Sequence, residues 1–109
     1  MRVICFGDSN TYGYDPRGYW GGRYDAADRW PDILAAQTGW EIVNLGENGR
    51  QIPDFAGKLP TADQILVMLG TNDLLQGAAA AEAGSRMELF LNVHMTCCSG
   101  IVQIGRAHV

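Results

Sequence analysis

Three short apolar segments, at residues 2–6, 41–45 and 65–69, limit the folds that this chain can adopt. Each segment is rich in large aliphatic side chains and has few polar positions, which is typical of strands buried in a parallel sheet. Stretches with apolar residues at helical spacing follow the first and the third segment. This alternation predicts an α/β domain in which helices cover both faces of a parallel sheet.

Two helices and a fourth strand are predicted around these segments. The first helix has N-cap candidates at residues 25–28 and a C-terminal stop at Gly39, and the second helix covers residues 79–93. Residues 99–104 are a candidate fourth strand, because they are β-rich and follow the second helix. We expect the first strand to lie between the second and the third. The predicted architecture is a truncated, flavodoxin-like three-layer α/β/α domain.

Each apolar segment ends in a turn of small and polar residues. The three turns read Gly-Asp-Ser-Asn-Thr at residues 7–11, Gly-Glu-Asn-Gly-Arg at residues 46–50 and Gly-Thr-Asn-Asp at residues 70–73. In an open parallel sheet, ligands bind in the crevice beyond the carboxyl ends of the strands. The sequence therefore predicts one site that combines all three turns.

The turns contain groups that a serine nucleophile requires. A serine hydroxyl is a weak nucleophile at neutral pH, so it needs a general base and donors that stabilise the oxyanion. Candidate donors are the backbone N–H groups of Ser9 and Gly49 and the side-chain amide of Asn72. Gly49 can also be explained as a turn glycine alone. For Asp8 and Asp73 we expect a structural role, as helix caps or in Asx turns.

In combination, the three turns resemble the signature blocks of the SGNH, or GDSL-type, serine hydrolases. The first turn resembles that of the esterase and acyltransferase branch of this family. The resemblance implies that Ser9 is the nucleophile and that an oxyanion hole is formed by the Ser9 backbone, the Gly49 backbone and the Asn72 side chain. It further implies a small-molecule ester as substrate, without a cofactor or a metal ion.

A loop rich in glycine and tyrosine, residues 12–24, follows the first turn. Long irregular loops in compact domains are often functional, so Tyr12 and Trp20 are candidates for the wall of an acyl or aryl pocket. The alternative is that these aromatic side chains only hold the loop in place. Arg29 is a third candidate for substrate binding. The Arg29-Trp30 pair resembles one that opens the helix in the same branch of the family, and we expect Trp30 to lie in the core.

The family's Asp-x-x-His block is missing from these residues. The two histidines, His94 and His108, have Leu91 and Gly105 three positions earlier. We therefore expect that this chain lacks its general base and is inactive by itself, whereas a complete family domain would cleave esters.

The C-terminal residues also depart from the family pattern. Residues 104–109, Ile-Gly-Arg-Ala-His-Val, can be encoded by nucleotides that resemble the start of a widely used sequencing-library adapter. We expect residues 1–93 to be the N-terminal part of one hydrolase domain. Residues 94–109 are expected to be an aberrant tail that is not native to the family.

The composition of the chain argues against two classes of partner, nucleic acids and membranes. Twelve acidic and eight basic residues give a formal charge of −4 without a basic run, which argues against a nucleic-acid partner. The sequence contains no membrane-span pattern and no signal-peptide pattern, so we expect no membrane partner and a cytoplasmic location. The spacing of Cys5, Cys97 and Cys98 favours neither structural zinc nor a disulfide framework.

A second class of function stays open on the sequence. A non-catalytic, flavodoxin-like module could use the same turns as a cradle for an anion or another small ligand. Neither the Gly-x-Gly-x-x-Gly pattern nor the P-loop pattern follows the first strand, which argues against a mononucleotide or flavin site. Ester turnover that depends on Ser9 would distinguish the enzyme from the binding module.

Overall fold

The computed structural model describes residues 1–17, 22–53, 59–94 and 98–103, and for residues 93, 94 and 98–103 it describes the backbone alone. Four of the described strands form a parallel sheet, and two short strands form an antiparallel pair. The elements in chain order are β1 (Arg2–Gly7), α1 (Ser9–Tyr12), β2 (Tyr14–Asp15), β3 (Gly22–Arg23), a 3₁₀ turn (Ala26–Asp28), α2 (Trp30–Thr38), β4 (Glu41–Gly46), β5 (Ala62–Met68), α3 (Thr71–Leu75), α4 (Ala80–His94) and β6 (Cys98–Gln103).

The sheet has the strand order β4-β1-β5-β6, so β1 lies between two parallel neighbours. Gly7, the last residue of β1, lies opposite Gly46 of β4 and Met68 of β5. The carboxyl ends of these three strands are therefore level, and the turns that follow them emerge at one edge of the sheet. β6 pairs in parallel with the outer side of β5. The predicted α/β class, strand order and fourth strand are confirmed.

The main core lies between the sheet and α4. The inward side chains of β1, β5 and α4 pack together and are buried, among them Ile4, Phe6, Ile65, Val67, Ala83, Met87 and Phe90. The rings of Phe6 and Phe90 stack with their centroids 5.1 Å apart. Burying one such large side chain contributes about 1.5–3 kcal/mol, so this face is the principal source of hydrophobic stabilisation.

Helices α1 and α2 cover the opposite face of the sheet. Val3 and Cys5 alternate with the core residues along β1, so they point to this face, and both are fully buried. Burial raises the pKa of the Cys5 thiol to about 11, and the carboxylate of Asp32 on α2 adds to the effect. Helices thus lie on both faces of the sheet, in the three layers that the sequence predicts.

Helix α2 begins after the N-cap candidates at residues 25–28, at the Arg29-Trp30 pair. Ala26–Asp28 form a single 3₁₀ turn, Arg29 is extended with φ −94° and ψ 127°, and the α-helix starts at Trp30. Pro31 explains this start, because proline has no N–H and clashes with a preceding helical turn, so it fits only in the first turn. The helix ends at Gly39, which adopts the left-handed conformation with φ 74°, as predicted.

The predicted ends of two further elements shift by a few residues. Strand β5 starts at Ala62 rather than at residue 65, and helix α4 ends at His94. The predicted boundary between residues 93 and 94 therefore falls in the last turn of α4, and it stays a prediction. None of the helices in the described part of the chain is long and apolar enough to cross a membrane.

Replacing Phe90 by alanine should destabilise the domain far more than replacing its neighbour Leu89. The Phe90 side chain is 2% exposed, whereas Leu89 is 56% exposed on the same helix. In urea denaturation followed by circular dichroism, we expect Phe90→Ala to lower the free energy of unfolding by about 3–5 kcal/mol. Leu89→Ala should change it by less than about 0.5 kcal/mol. Equal losses for the two variants would contradict the packing of α4.

The Cys5 thiol should stay protonated and unreactive well above neutral pH. The pKa of this thiol is raised from 9.0 to about 11 in the folded state. The contribution of the protonated Cys5 thiol to the free energy of unfolding is therefore fully present below about pH 9 and is lost as the pH rises through about 11. In a Cys97→Ser, Cys98→Ser chain at pH 9, alkylation by iodoacetamide should be about fiftyfold slower in the folded than in the urea-unfolded protein. Equal alkylation rates would mean that Cys5 is not buried.

Candidate active site

The turn after β1 places Ser9 at the start of α1. The Asp8 carboxylate caps this short helix by accepting a hydrogen bond from the Asn10 N–H at 3.0 Å, and the Asp8 carbonyl accepts one from the Tyr12 N–H at 3.0 Å. Asp8 is buried, which agrees with the predicted structural role. Ser9 is the next residue and is half-buried. Because Ser9 is the first residue of α1, no carbonyl of the helix can accept a hydrogen bond from its N–H.

Glycines at the ends of β1 and β4 allow α1 to approach the sheet. A Cβ atom on Gly7 would collide with the Thr11 side chain, and one on Gly46 would collide with the Tyr12 backbone nitrogen. Asn44 adds two hydrogen bonds, since its Nδ2 donates to the Thr11 carbonyl at 2.9 Å and its Oδ1 accepts from the Gly46 N–H at 2.8 Å. These contacts fix the helix that carries the candidate nucleophile.

The turn after β4, residues 47–50, is bound to the end of β1. The Arg50 N–H donates to the Glu47 carbonyl at 3.2 Å and closes the turn, while the Glu47 N–H donates to the Gly7 carbonyl at 3.1 Å. Gly49 occupies the third position of this turn with φ 75°. Turns with a positive φ at that position favour glycine, so the turn geometry itself accounts for Gly49.

Helix α3 brings Asn72 to the same turn. Gly70, with φ 120°, leads from the end of β5 into α3. The Asn72 Nδ2 then donates a hydrogen bond to the Arg50 carbonyl at 3.0 Å. A side-chain amide has two N–H hydrogens, so one of them is left for a further acceptor.

The three predicted oxyanion donors are therefore connected through residues 47–50. Within the described residues, the N–H groups of Ser9 and Gly49 have no hydrogen-bond acceptor. An oxyanion hole needs unoccupied donors of this kind, fixed before the charge develops. The described contacts bring the three turns together, and the catalytic roles of Ser9, Gly49 and Asn72 stay predictions.

Asp73 is a buried carboxylate whose two partners lie far from it in the sequence. It accepts a hydrogen bond from the Ile52 N–H at 2.9 Å and pairs with Nη1 of Arg86 on α4 at 3.0 Å, instead of capping α3. Arg86 also pairs with the exposed carboxylate of Glu82 at 2.8 Å. The sequence signal for this contact is weak: Arg86 lies one helical turn before Phe90, on the side of α4 that faces the core.

Tyr12, a candidate substrate-binding residue, lies close to the candidate nucleophile. It is half-buried in α1, three residues after Ser9. The guanidinium carbon of Arg23 lies 4.3 Å from the centre of the Tyr12 ring, and the Arg23 Nε donates to the Tyr12 carbonyl at 2.7 Å. Arg23, which the sequence did not single out, therefore joins the short β2 and β3 strands to α1.

The other two candidate substrate-binding residues are not brought to Ser9 by any described contact. Arg29 forms an ion pair with Asp32 at 2.9 Å, and its side chain lies against Gly13. Trp20 lies outside the described residues. Substrate binding by Tyr12, Trp20 and Arg29 stays a prediction.

A polar cavity of about 360 Å³ lies at the junction of α3 and α4. It is lined by Gln51, Asp73, Gln76, Gly77, Ala78, Glu82 and Arg86, so it does not include the three candidate oxyanion donors. In the part of the chain that the structure describes, His, Cys, Asp and Glu side chains form no group of three that could hold a metal ion.

The comparison with protein families identifies the class of this domain. A model of the GDSL-like lipase/acylhydrolase family matches residues 5–104, a range that includes all three turns. The chain belongs to this family. No curated protein matches the sequence significantly.

Solved structures resemble this GDSL-family chain in fold. A carbohydrate acetylesterase family member from Sinorhizobium meliloti has a TM-score of 0.75 at 24% identity, over 96% of this chain and 62% of its own. A carbohydrate acetylesterase from the same organism has a TM-score of 0.73 at 25% identity, over 89% and 55%. A member of the lipolytic G-D-S-L family from Veillonella parvula has a TM-score of 0.69 at 27% identity, over 94% and 57%. The chain spans between 55% and 62% of the length of these three proteins.

Removing the Asp73 carboxylate should destabilise this GDSL-family domain strongly, whereas removing the other partner of Arg86 should not. Asp73→Ala would remove the buried acceptor of the Ile52 N–H and one carboxylate partner of Arg86, which keeps Glu82, and we expect a loss of about 1.5–3 kcal/mol in the free energy of unfolding. Glu82→Ala removes a surface ion pair and should cost at most about 1 kcal/mol. Urea denaturation of both variants measures the difference, and similar losses would contradict a buried Asp73.

Proposed function

We propose that Ser9 is the nucleophile of a hydrolase that cleaves carboxylic esters of small molecules through an acyl-enzyme. One observation carries the proposal: the hydrogen-bonded turns leave the Ser9 N–H, the Gly49 N–H and one amide hydrogen of Asn72 without an acceptor among the described residues. Membership of the GDSL-like lipase/acylhydrolase family supports acyl-group hydrolysis as the reaction class.

Ester cleavage at this site has two acyl-transfer steps. In the first, the Ser9 Oγ attacks the ester carbonyl while a general base takes the hydroxyl proton, and the three donors stabilise the oxyanion that forms on the carbonyl oxygen. The bond to the alcohol oxygen then breaks, and the base returns the proton to the leaving alcohol. In the second step, water attacks acyl-Ser9 with the help of the same base, which releases the carboxylic acid and restores the Ser9 hydroxyl.

The general base is the part that these 109 residues do not supply. Neither His94 nor His108 belongs to an Asp-x-x-His motif, so the polypeptide alone is proposed to bind an ester without turning it over. This missing motif is also the observation that favours the second function, a module that binds a small ligand without catalysis. The two functions differ in whether Ser9 becomes acylated once a base is provided.

A short acyl group is the proposed acyl part of the substrate. The solved structure at 25% identity from Sinorhizobium meliloti is described as a carbohydrate acetylesterase, which supports an acetyl ester. p-Nitrophenyl acetate is therefore a suitable probe, because it combines an acetyl group with a leaving group that is easily followed.

Imidazole added to the solution should act in place of the missing base. Its pKa is near neutrality, like that of a histidine side chain, and a general base typically contributes about 10²–10⁴-fold to such a step. With p-nitrophenyl acetate, the chain should show imidazole-dependent turnover in excess of that of Ser9→Ala, and peptide mass spectrometry should find the acetyl group on Ser9. Without imidazole, the chain and Ser9→Ala should be equally slow.

Ser85→Ala is the matched control, because Ser85 is an exposed serine on α4. Its hydroxyl donates a hydrogen bond to the Ala81 carbonyl at 3.0 Å. This variant should behave like the unmodified chain in every condition. Identical rates for the chain and Ser9→Ala at all imidazole concentrations would contradict a nucleophilic Ser9. Turnover that depends on Ser9 but needs no imidazole would contradict the proposal that the chain lacks its general base.

A further inference from the structure

The Arg50 side chain joins the ends of two strands at the candidate site. Its Nε donates to the Gly7 carbonyl at 3.1 Å, and its Nη2 donates to the Leu45 carbonyl at 3.3 Å. Gly7 is the last residue of β1 and precedes the Asp8-Ser9 turn. The guanidinium therefore connects the strand that leads to the candidate nucleophile with the strand that leads to Gly49.

The guanidinium is itself held from two further sides. Its carbon lies 4.2 Å from the centre of the Phe6 ring, and Nη2 forms an ion pair with the Glu47 carboxylate at 2.9 Å. The Arg50 side chain is 22% exposed, so the cation lies between the aromatic ring and the turn rather than in open solvent. Lysine cannot reproduce this arrangement, because its ammonium lacks the planar fork of donors and stacks less well on a ring.

The Arg50 backbone reaches the remaining donors. Its N–H closes the turn that contains Gly49 by donating to the Glu47 carbonyl at 3.2 Å, and its carbonyl accepts the Asn72 amide at 3.0 Å. Each predicted oxyanion donor is thus connected with this one residue: Ser9 through Gly7, Gly49 as its chain neighbour, and Asn72 by a direct hydrogen bond.

We infer that Arg50 is a positioning residue, which holds the Gly49 N–H and the Asn72 amide in the geometry that an ester oxyanion needs. The inference rests on the proposed function, because it assigns Arg50 a task in that reaction. A site can stabilise a developing charge only if its donors are fixed in advance. Without the guanidinium contacts, the described hydrogen bonds that join the turn of residues 47–50 to the rest of the chain are those of its backbone with Gly7 and with Asn72.

Nitrogen-15 relaxation of the 109-residue chain tests the inference directly. In the unmodified chain we expect a backbone order parameter of about 0.85 for Gly49, and in Arg50→Met and Arg50→Lys a value below about 0.6. The side-chain amide signals of Asn72 should shift in both variants, whereas the signals of Val3, near the other end of β1, should not. Arg17→Met is the matched control, because the Arg17 side chain is 76% exposed and pairs with Asp15; it should leave Gly49 rigid.

A purely structural role would give a different result. If Arg50→Met lowers the free energy of unfolding but Gly49 stays as rigid as in the unmodified chain, the positioning role is overturned. If the variants do not fold, the scalar coupling across the hydrogen bond from Arg50 Nε to the Gly7 carbonyl carbon decides in the unmodified chain. Its detection supports the inference, and its absence overturns it.

The imidazole assay separates this inference from the proposed function. If Ser9 is acetylated in the unmodified chain, Arg50→Met should reduce the rate of acetylation at least about tenfold while the fold is retained. Unchanged acetylation would overturn the positioning role and leave the nucleophile intact. If Ser9 is never acetylated although Gly49 loosens in Arg50→Met, the proposed function fails and the effect of Arg50 on the turn stands.

Discussion

The level carboxyl ends of β4, β1 and β5 are the constraint on which the candidate site depends. Gly7 lies opposite both Gly46 and Met68, so the three following turns start at the same height above the sheet. A slip of one residue between two strands would move a turn by about 3.3 Å and would exchange the two faces of the slipped strand. Gly7 and Gly46 oppose that slip, because a residue with a Cβ atom at either position would collide with α1.

Two arginines bind the segments that follow the level strand ends. Arg86 neutralises the buried Asp73, which in turn binds the Ile52 N–H beyond the second turn. Arg50 binds the ends of β1 and β4, and its carbonyl holds Asn72. Because a buried carboxylate without a partner is costly, the first contact secures α3 and α4 against each other. The contacts of Arg50 instead hold the turn that contains Gly49. The packing of α3 against α4 and the geometry of the candidate site therefore depend on different arginines.

The fold was predictable because its determinants are local. Apolar runs such as residues 2–6 and 65–69, with helical spacing in between, define a parallel α/β sheet without any knowledge of long-range contacts. The start of α2 at Trp30 depends on Pro31, which is also a local signal. The contacts of Asp73 with Arg86 and of Arg50 with Gly7 join residues far apart in sequence, and no periodicity encodes which side chain bridges them.

The three turns were likewise predicted to share one edge of the sheet, and the structure connects them through residues 47–50. We propose that the three turns form one oxyanion site. A crystal structure of the chain with Ser9 phosphonylated in the presence of imidazole tests it, because the phosphoryl group imitates the tetrahedral intermediate. We expect one phosphoryl oxygen at about 2.7–3.1 Å from the backbone nitrogens of Ser9 and Gly49 and from the Asn72 Nδ2. A phosphoryl oxygen that contacts only water, or only Ser9, would contradict it.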